Sequence, residues 1–166
     1  MTIPMTALAF IMQLTVAIAD DVPNFNVEPT CRGISQQGGL TVGLEPNRSR
    51  ILAIRRRMLD RGDQIVTSAM TLGEVLVKPA RLGQASLVEQ YDRAIRSTSQ
   101  VVSFDAQIAW RYASLRATNT LRSADAIQLA CAAHFGVDLF ITNDQHLQGL
   151  NVPGIGFISS LERAPL

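Results

Sequence analysis

Apolar and polar positions along this chain switch between a period near two and a period near 3.6, and each switch marks an element. Met5–Ile11 (MTALAFI) reads as a first strand, with Leu14–Ile18 continuing it or leading into a helix. Ile51, Ile54 and Leu59 fall on one side of a helix expected over Ser49–Arg61, opened by Glu45-Pro46-Asn47 and closed by Gly62. Arg50, Arg55, Arg56, Arg57 and Arg61 surround its other side. Gln64–Thr67 is a short strand, and Ser68 can cap a helix over Ala69–Val77 that Pro79 ends. A helix over Leu82–Ser97, its start within Gln84–Leu87, precedes a strand at Val101–Phe104 and an amphipathic helix over Asp105–Thr118 holding Trp110 and Tyr112. Pro153-Gly154 precedes a last strand, Ile155–Ile158.

The stretch Leu121–Leu147 carries the clearest pattern. Ser123 is a natural N-cap, with Asp125 in the first turn behind it, where the helix dipole favours a negative charge. From Ala124 to Phe135 apolar residues run nearly all the way round, as in a helix buried on most sides, and Gly136 supplies the C-cap. Val137–Thr142 (VDLFIT) has the make-up of a buried parallel strand. Asp144 follows just past its carboxyl end, where open α/β sheets bind ligands. Cap and turn chemistry explains either aspartate by itself; their pairing at one end of a βα layer is what points to function.

Strands alternating with helices imply a parallel sheet covered on both faces. The 166 residues, 47% hydrophobic and 17% charged, suit a single α/β domain over 1–166. A net charge of +1 offers no global basic field, so a nucleic-acid site would have to be a local patch. Cys31 and Cys131 suggest neither a disulfide framework nor a zinc site, and a reducing cytoplasm is the expected location. Ile3–Ala19 is apolar and ends in Ala17-Ile18-Ala19, but lacks a preceding Lys or Arg and is shorter than a membrane span, so a core strand is expected there. Asp20–Gly39 holds Pro23, Pro29, Gly33, Gly38 and Gly39 and reads as loop. The pentapeptide LTVAI at 14–18 returns as LTVGL at 40–44, and the material between reads as an irregular insertion around residues 20–43.

LRSADAIQLA followed by DLFITNDQHL resembles the C-terminal half of a PIN domain, the metal-dependent ribonuclease fold of VapC-type toxins, and TSAMTLGEVLVKP (Thr67–Pro79) resembles that family's second motif. The resemblance runs from about Leu44 to Phe157. It implies a three-layer α/β/α fold with a mainly parallel sheet, an RNA substrate, an antitoxin partner, a homodimer and no membrane association.

Glu74 lies in the second turn of a helix entered directly from a strand, so it starts from the same sheet edge as Asp144, and Glu74, Asp125 and Asp144 can converge. Gathered carboxylates repel unless something positive sits among them, and hard oxygen donors suit Mg²⁺ or Mn²⁺. The resemblance assigns these three as metal-binding catalytic acids and gives Thr142 a supporting hydrogen-bond role. One departure stands out. The family's first acid follows strand one in a pattern like DTNVLI; here Gln13 or Gly39 falls at that position, and Asp20 and Asp21 do not match the spacing. Three outcomes stay open: a site with weakened affinity for a divalent ion, an insertion that delivers Asp20 or Asp21 in its place, or an N-terminus that differs from that of an active relative.

The arginine-rich helix face is open to three readings: a solvated surface, phosphate contact, or an acidic partner peptide. His134 and His146 are too few and too separated for a metal pair, with His146 first of all a loop residue, and the phosphate-cradling GxxxxGK[ST] loop is absent. The sequence thus points to a metal-dependent endoribonuclease. The competing class is a PIN-fold module that docks RNA or protein without cleaving. A phosphoacceptor domain ranks last, because Asp20-Asp21 is poorly placed for its acidic pair.

Overall fold

Ile65 and Val66 are neighbours whose side chains leave the same strand on opposite sides, and each enters a different core cluster of the described residues. The structure, a computed structural model, describes residues 8–11 and 44–164, with side chains from Arg50 to Ala164. Its elements in chain order are β1 (Leu8–Ile11), α1 (Leu44–Arg61), β2 (Gln64–Ser68), α2 (Ala69–Arg81), α3 (Ala85–Thr98), β3 (Gln100–Val102), α4 (Ala106–Thr118), α5 (Ser123–Phe135), β4 (Leu139–Ile141) and β5 (Phe157–Ser159). The five strands form one sheet in the order β3-β2-β1-β4-β5, every pair parallel. From β1 the chain builds outward through β2 to β3, then returns to add β4 and β5 on the other side of β1. The order therefore switches between β1 and β4, and ligands of open parallel sheets bind at the carboxyl end of such a crevice.

Alternation along the strands divides the packing. Val66 and Phe140 face one core with Ile108 and Leu115 of α4 and the buried length of α5. Ile65, Leu139 and Ile141 face the other core with Ile51, Ile54 and Met58 of α1 and with Leu161 and Ala164 near the C-terminus. Helices on both faces of a parallel sheet make the three-layer α/β/α arrangement that alternating elements lead one to expect. α5 is the most enclosed helix: Ala126, Leu129, Ala130, Cys131 and Ala132 are fully buried. Gly136 ends it in the left-handed conformation (φ 79°). Gly154 also has positive φ (99°), and a Cβ there would lie 2.4 Å from the Ala133 carbonyl oxygen, so the segment before β5 lies against the end of α5 only because this residue is glycine.

Several boundaries differ from expectation, for identifiable reasons. α1 begins at Leu44 rather than Ser49, because Pro46 falls within the first turn, where a missing N–H costs nothing. Met58, not Leu59, joins Ile51 and Ile54 in the core, leaving Leu59 66% exposed. α2 runs through the buried Pro79 to Arg81 instead of ending before it; the Leu82, Gly83 and Gln84 amides donate to Lys78, Ala80 and Pro79 carbonyls, closing the last turn around the proline. The ladders of β3, β4 and β5 are three residues each, so Phe104, Val137 and Ile155 lie outside strands. Arg122, not Ser123, takes the N-cap position of α5, and Ser123 is the first helical residue. Leu14–Ile18, the Asp20–Gly39 loop and the insertion expected around 20–43, together with Gln13, Gly39, Asp20, Asp21 and Cys31, lie outside the described residues.

Candidate functional site

Ser68 ends β2 in extended conformation and caps α2, its Oγ accepting the Thr71 N–H at 3.1 Å. Ser68 Oγ also donates to Gln128 Oε1 at 2.6 Å, and Gln128 Nε2 donates to Thr71 Oγ1 at 2.6 Å. All three side chains are buried. An interior amide with neither end paired would cost about 1–3 kcal/mol per lost partner; here both ends are used. The triad fastens the first turn of α2 to the second turn of α5 at the carboxyl edge of the sheet.

One turn before Gln128, Asp125 sits in the first turn of α5 with its side chain nine-tenths buried. Asp144 follows β4 by three residues and its side chain is 20% exposed. Its geometry is set locally: the Asp144 N–H donates to Thr142 Oγ1 at 3.1 Å, and Asp144 Oδ1 accepts the His146 N–H at 2.9 Å. Thr142 is itself buried and its N–H donates to Ser159 O of the neighbouring strand at 2.9 Å. Asn143 Oδ1 accepts the Leu161 N–H at 3.2 Å, tying the same loop to the C-terminal segment.

The two aspartates meet at one cation. Arg122 Nε donates to Asp125 Oδ2 at 2.8 Å, and Arg122 Nη2 donates to Asp144 Oδ2 at 2.7 Å. The guanidinium is held even more firmly in its charged form than an ordinary arginine, first by its hydrogen bond to Asp125, then by the charges of Asp125 and Asp144. Carboxylate oxygens from two elements that both reach one positive group form a donor pair of the kind Mg²⁺ takes, since that ion commonly binds through one or two carboxylates and fills its remaining positions with water and phosphate oxygens. The pair therefore fits a divalent cation.

Glu74 is exposed, one turn beyond Thr71 on α2. α2 and α5 both run against the strands and are pinned at Thr71 and Gln128. Glu74 lies three residues after Thr71 and Asp125 three residues before Gln128, the two positions at which the helices are joined. Among the described residues no three His, Cys, Asp or Glu side chains are grouped as a metal ion would need. The fold brings Asp125 and Asp144 together and leaves Glu74 outside their immediate contact.

Two participants escaped the sequence reading. Arg122 is signalled by its i,i+3 spacing to Asp125, but nothing local announces its bond to Asp144. Gln128 has a signal in its place as a polar residue among Ala126, Ile127, Leu129 and Ala130 in the apolar part of the helix. The arginine-rich face resolves differently from a uniform patch: Arg50 donates to the carbonyls of Leu161 (3.3 Å) and Glu162 (2.5 Å), clamping the C-terminal segment, and Arg61 pairs with Asp63 at 3.2 Å. His146 reaches Asp144 through its backbone, and its side chain is exposed. No helix among the described residues is long and apolar enough to cross a membrane.

Comparison with known proteins agrees with this geometry. A chain of the crystal structure of VapBC2 from Rickettsia felis, bound to a DNA fragment from their promoter, has a TM-score of 0.55 at 12% identity, covering 92% of this chain and 98% of that one. A chain of a toxin–antitoxin complex from Klebsiella pneumoniae has a TM-score of 0.54 at 22% identity, covering 90% of this chain and 95% of that one. At such identities the likeness is one of fold. No curated protein matches the chain. Residues 42–152 match the family model described as PIN domain. With that match spanning about two thirds of the sequence, and with a parallel sheet whose switch point carries two aspartates, the chain belongs to the PIN domain family.

Proposed function

We propose that this chain is a metal-dependent endoribonuclease that hydrolyses RNA phosphodiesters, acting as the toxin of a toxin–antitoxin pair. The observation that carries the reading is the meeting of Asp125 and Asp144 on one cationic group beside the strand-order switch. Asp125, Asp144 and Glu74 would hold Mg²⁺ or Mn²⁺. Such an ion, when bound, supplies an activated water and neutralises charge developing on a phosphoryl group.

The chain's own side chains do the positioning. Burial and its bond to Arg122 hold the Asp125 carboxylate at the guanidinium that Asp144 also reaches. Thr142 acts in support: its hydroxyl accepts the Asp144 amide and so fixes the turn that presents the Asp144 carboxylate. Gln128, through Ser68 and Thr71, holds the first turn of α2, the helix that carries Glu74. A glutamate side chain leans toward the N-terminus of its own helix, which shortens the separation between Glu74 and Asp125. An antitoxin as partner is supported by the fold neighbours, which are a VapBC2 assembly and a toxin–antitoxin complex. A homodimer is part of the same proposal.

A second reading has its own support. A PIN module that binds RNA or protein without cleaving needs no complete acidic cluster, and no three-acid group occurs among the described residues. Incubation of a structured RNA with the protein and Mn²⁺, beside Asp144→Asn, separates the two. Nuclease function gives cleavage that falls at least about a hundredfold in the variant. Equal cleavage by both proteins assigns the activity to a contaminant, and binding without cleavage favours the docking module.

A further inference from the structure

A guanidinium fork usually meets a single carboxylate with two parallel N–H groups. Arg122 instead divides its donors, giving Nε to Asp125 and Nη2 to Asp144. The burial of the three groups is graded. The arginine side chain is 77% exposed, Asp144 20% and Asp125 9%, so the positive group covers the acids from the solvent side. A cation arriving from solution meets Arg122 first. While Arg122 stays in place, two negative charges present a net charge of one, which weakens the attraction for a divalent ion. As the residue before α5 its side chain is mostly exposed and, among the described residues, it reaches the acids through its polar end.

We propose that Arg122 is an internal counter-cation, which holds Asp125 and Asp144 in the absence of a divalent ion and is displaced into solvent when one binds. It rests on the reading of the two aspartates as metal ligands. The exchange is between cations and breaks no covalent bond. Its consequence is a site with lowered affinity that remains ordered when empty, since the repulsion between the acids is relieved without metal. The neighbours on either side fit that role, with Leu121 buried as an anchor and Ser123 beginning the helix.

Calorimetric titration with Mn²⁺ of the full chain, Arg122→Gln, Arg122→Lys and Asp125→Asn tests both layers. Removing the competing charge should tighten Mn²⁺ binding about tenfold in Arg122→Gln, the scale expected for two charge-assisted bonds at a mostly exposed group. Arg122→Lys, which keeps the charge and folds with the same polarity, should stay near the native affinity, and Asp125→Asn should lose binding. Unchanged or weaker binding by Arg122→Gln, with binding lost in Asp125→Asn, overturns the counter-cation and leaves the metal ligands standing. Native-like binding by Asp125→Asn overturns both. In a parallel Mg²⁺ titration, the Arg122 Nε–H resonance should move to the position of a solvated arginine; a resonance that stays put while metal binds contradicts displacement.

Discussion

The two helices that meet at the carboxyl edge of the sheet treat their acids differently. On the α5–β4 side, Asp125 and Asp144 sit where backbone boundaries dictate position, in a first helical turn and just past a strand end, and each is held by named bonds. On the α2 side, the backbone is fastened equally well by Ser68, Thr71 and Gln128, yet Glu74 emerges a turn later and is exposed. An element can be fixed while the acid it carries is not. A carboxylate at a cap or strand end inherits its direction from the backbone, whereas one further along a helix depends on what fills the space beside it.

Breaking the well-held side should have the largest effect. Gly154→Ala forces a methyl group to 2.4 Å from the Ala133 carbonyl oxygen at a backbone conformation unfavourable to alanine. A loss of about 3 kcal/mol is expected in urea unfolding. Gln128→Leu cuts the bond between the two sides and leaves the buried Ser68 and Thr71 hydroxyls short of partners. About 2–3 kcal/mol should be lost, and amide exchange should quicken in the first turn of α2 while the β4 amides stay protected. Equal loosening of both would mean that the two sides are held as one unit.

The enclosure of α5 makes a pH prediction. Burial first, and the charge of Asp105 second, push the Cys131 thiol up from 9.0 to about 11. The folded chain therefore keeps a proton that the unfolded chain has given up between those values. This contribution is complete below pH 9 and is lost as pH rises toward 11, on the order of 2 kcal/mol in all. Cys131→Ala should show a shallower fall in stability over that range than the native chain. The smallest effect belongs to the exposed acid: Glu74→Gln should change stability by less than about 0.5 kcal/mol, while RNA cleavage falls if Glu74 completes the cation site. Cleavage that is unaffected would confine the site to the α5–β4 side.

How far the sequence revealed this arrangement follows the same division. The α/β alternation, the buried helix ending at Gly136, the Ser68 cap and the placement of Asp125 and Asp144 were all legible, because each depends on residues within one turn or one strand. Pairings between distant segments were not: the Arg122–Asp144 bond, the Gln128 triad and the Arg50 clamp on Leu161 and Glu162 depend on the sheet order β3-β2-β1-β4-β5. Local periodicity also misjudged single positions. Leu59 and Met58 are adjacent and both apolar, and only packing against Ile51 and Ile54 selects Met58. The missing N–H of Pro79 alone marks a helix end; its buried ring and the closing bonds of Leu82, Gly83 and Gln84 carry the helix past it. Trp110, on an expected amphipathic helix, lies 79% exposed, while Tyr112 packs edge-on against Phe104.

The most direct test is a crystal of the protein grown with Mn²⁺ and measured at a wavelength where manganese scatters anomalously. The expected result is a peak within coordination distance of carboxylate oxygens of both Asp125 and Asp144, with Arg122 no longer bonded to either. A Mn²⁺-containing crystal with no peak there, and Arg122 still bridging the two aspartates, would contradict it.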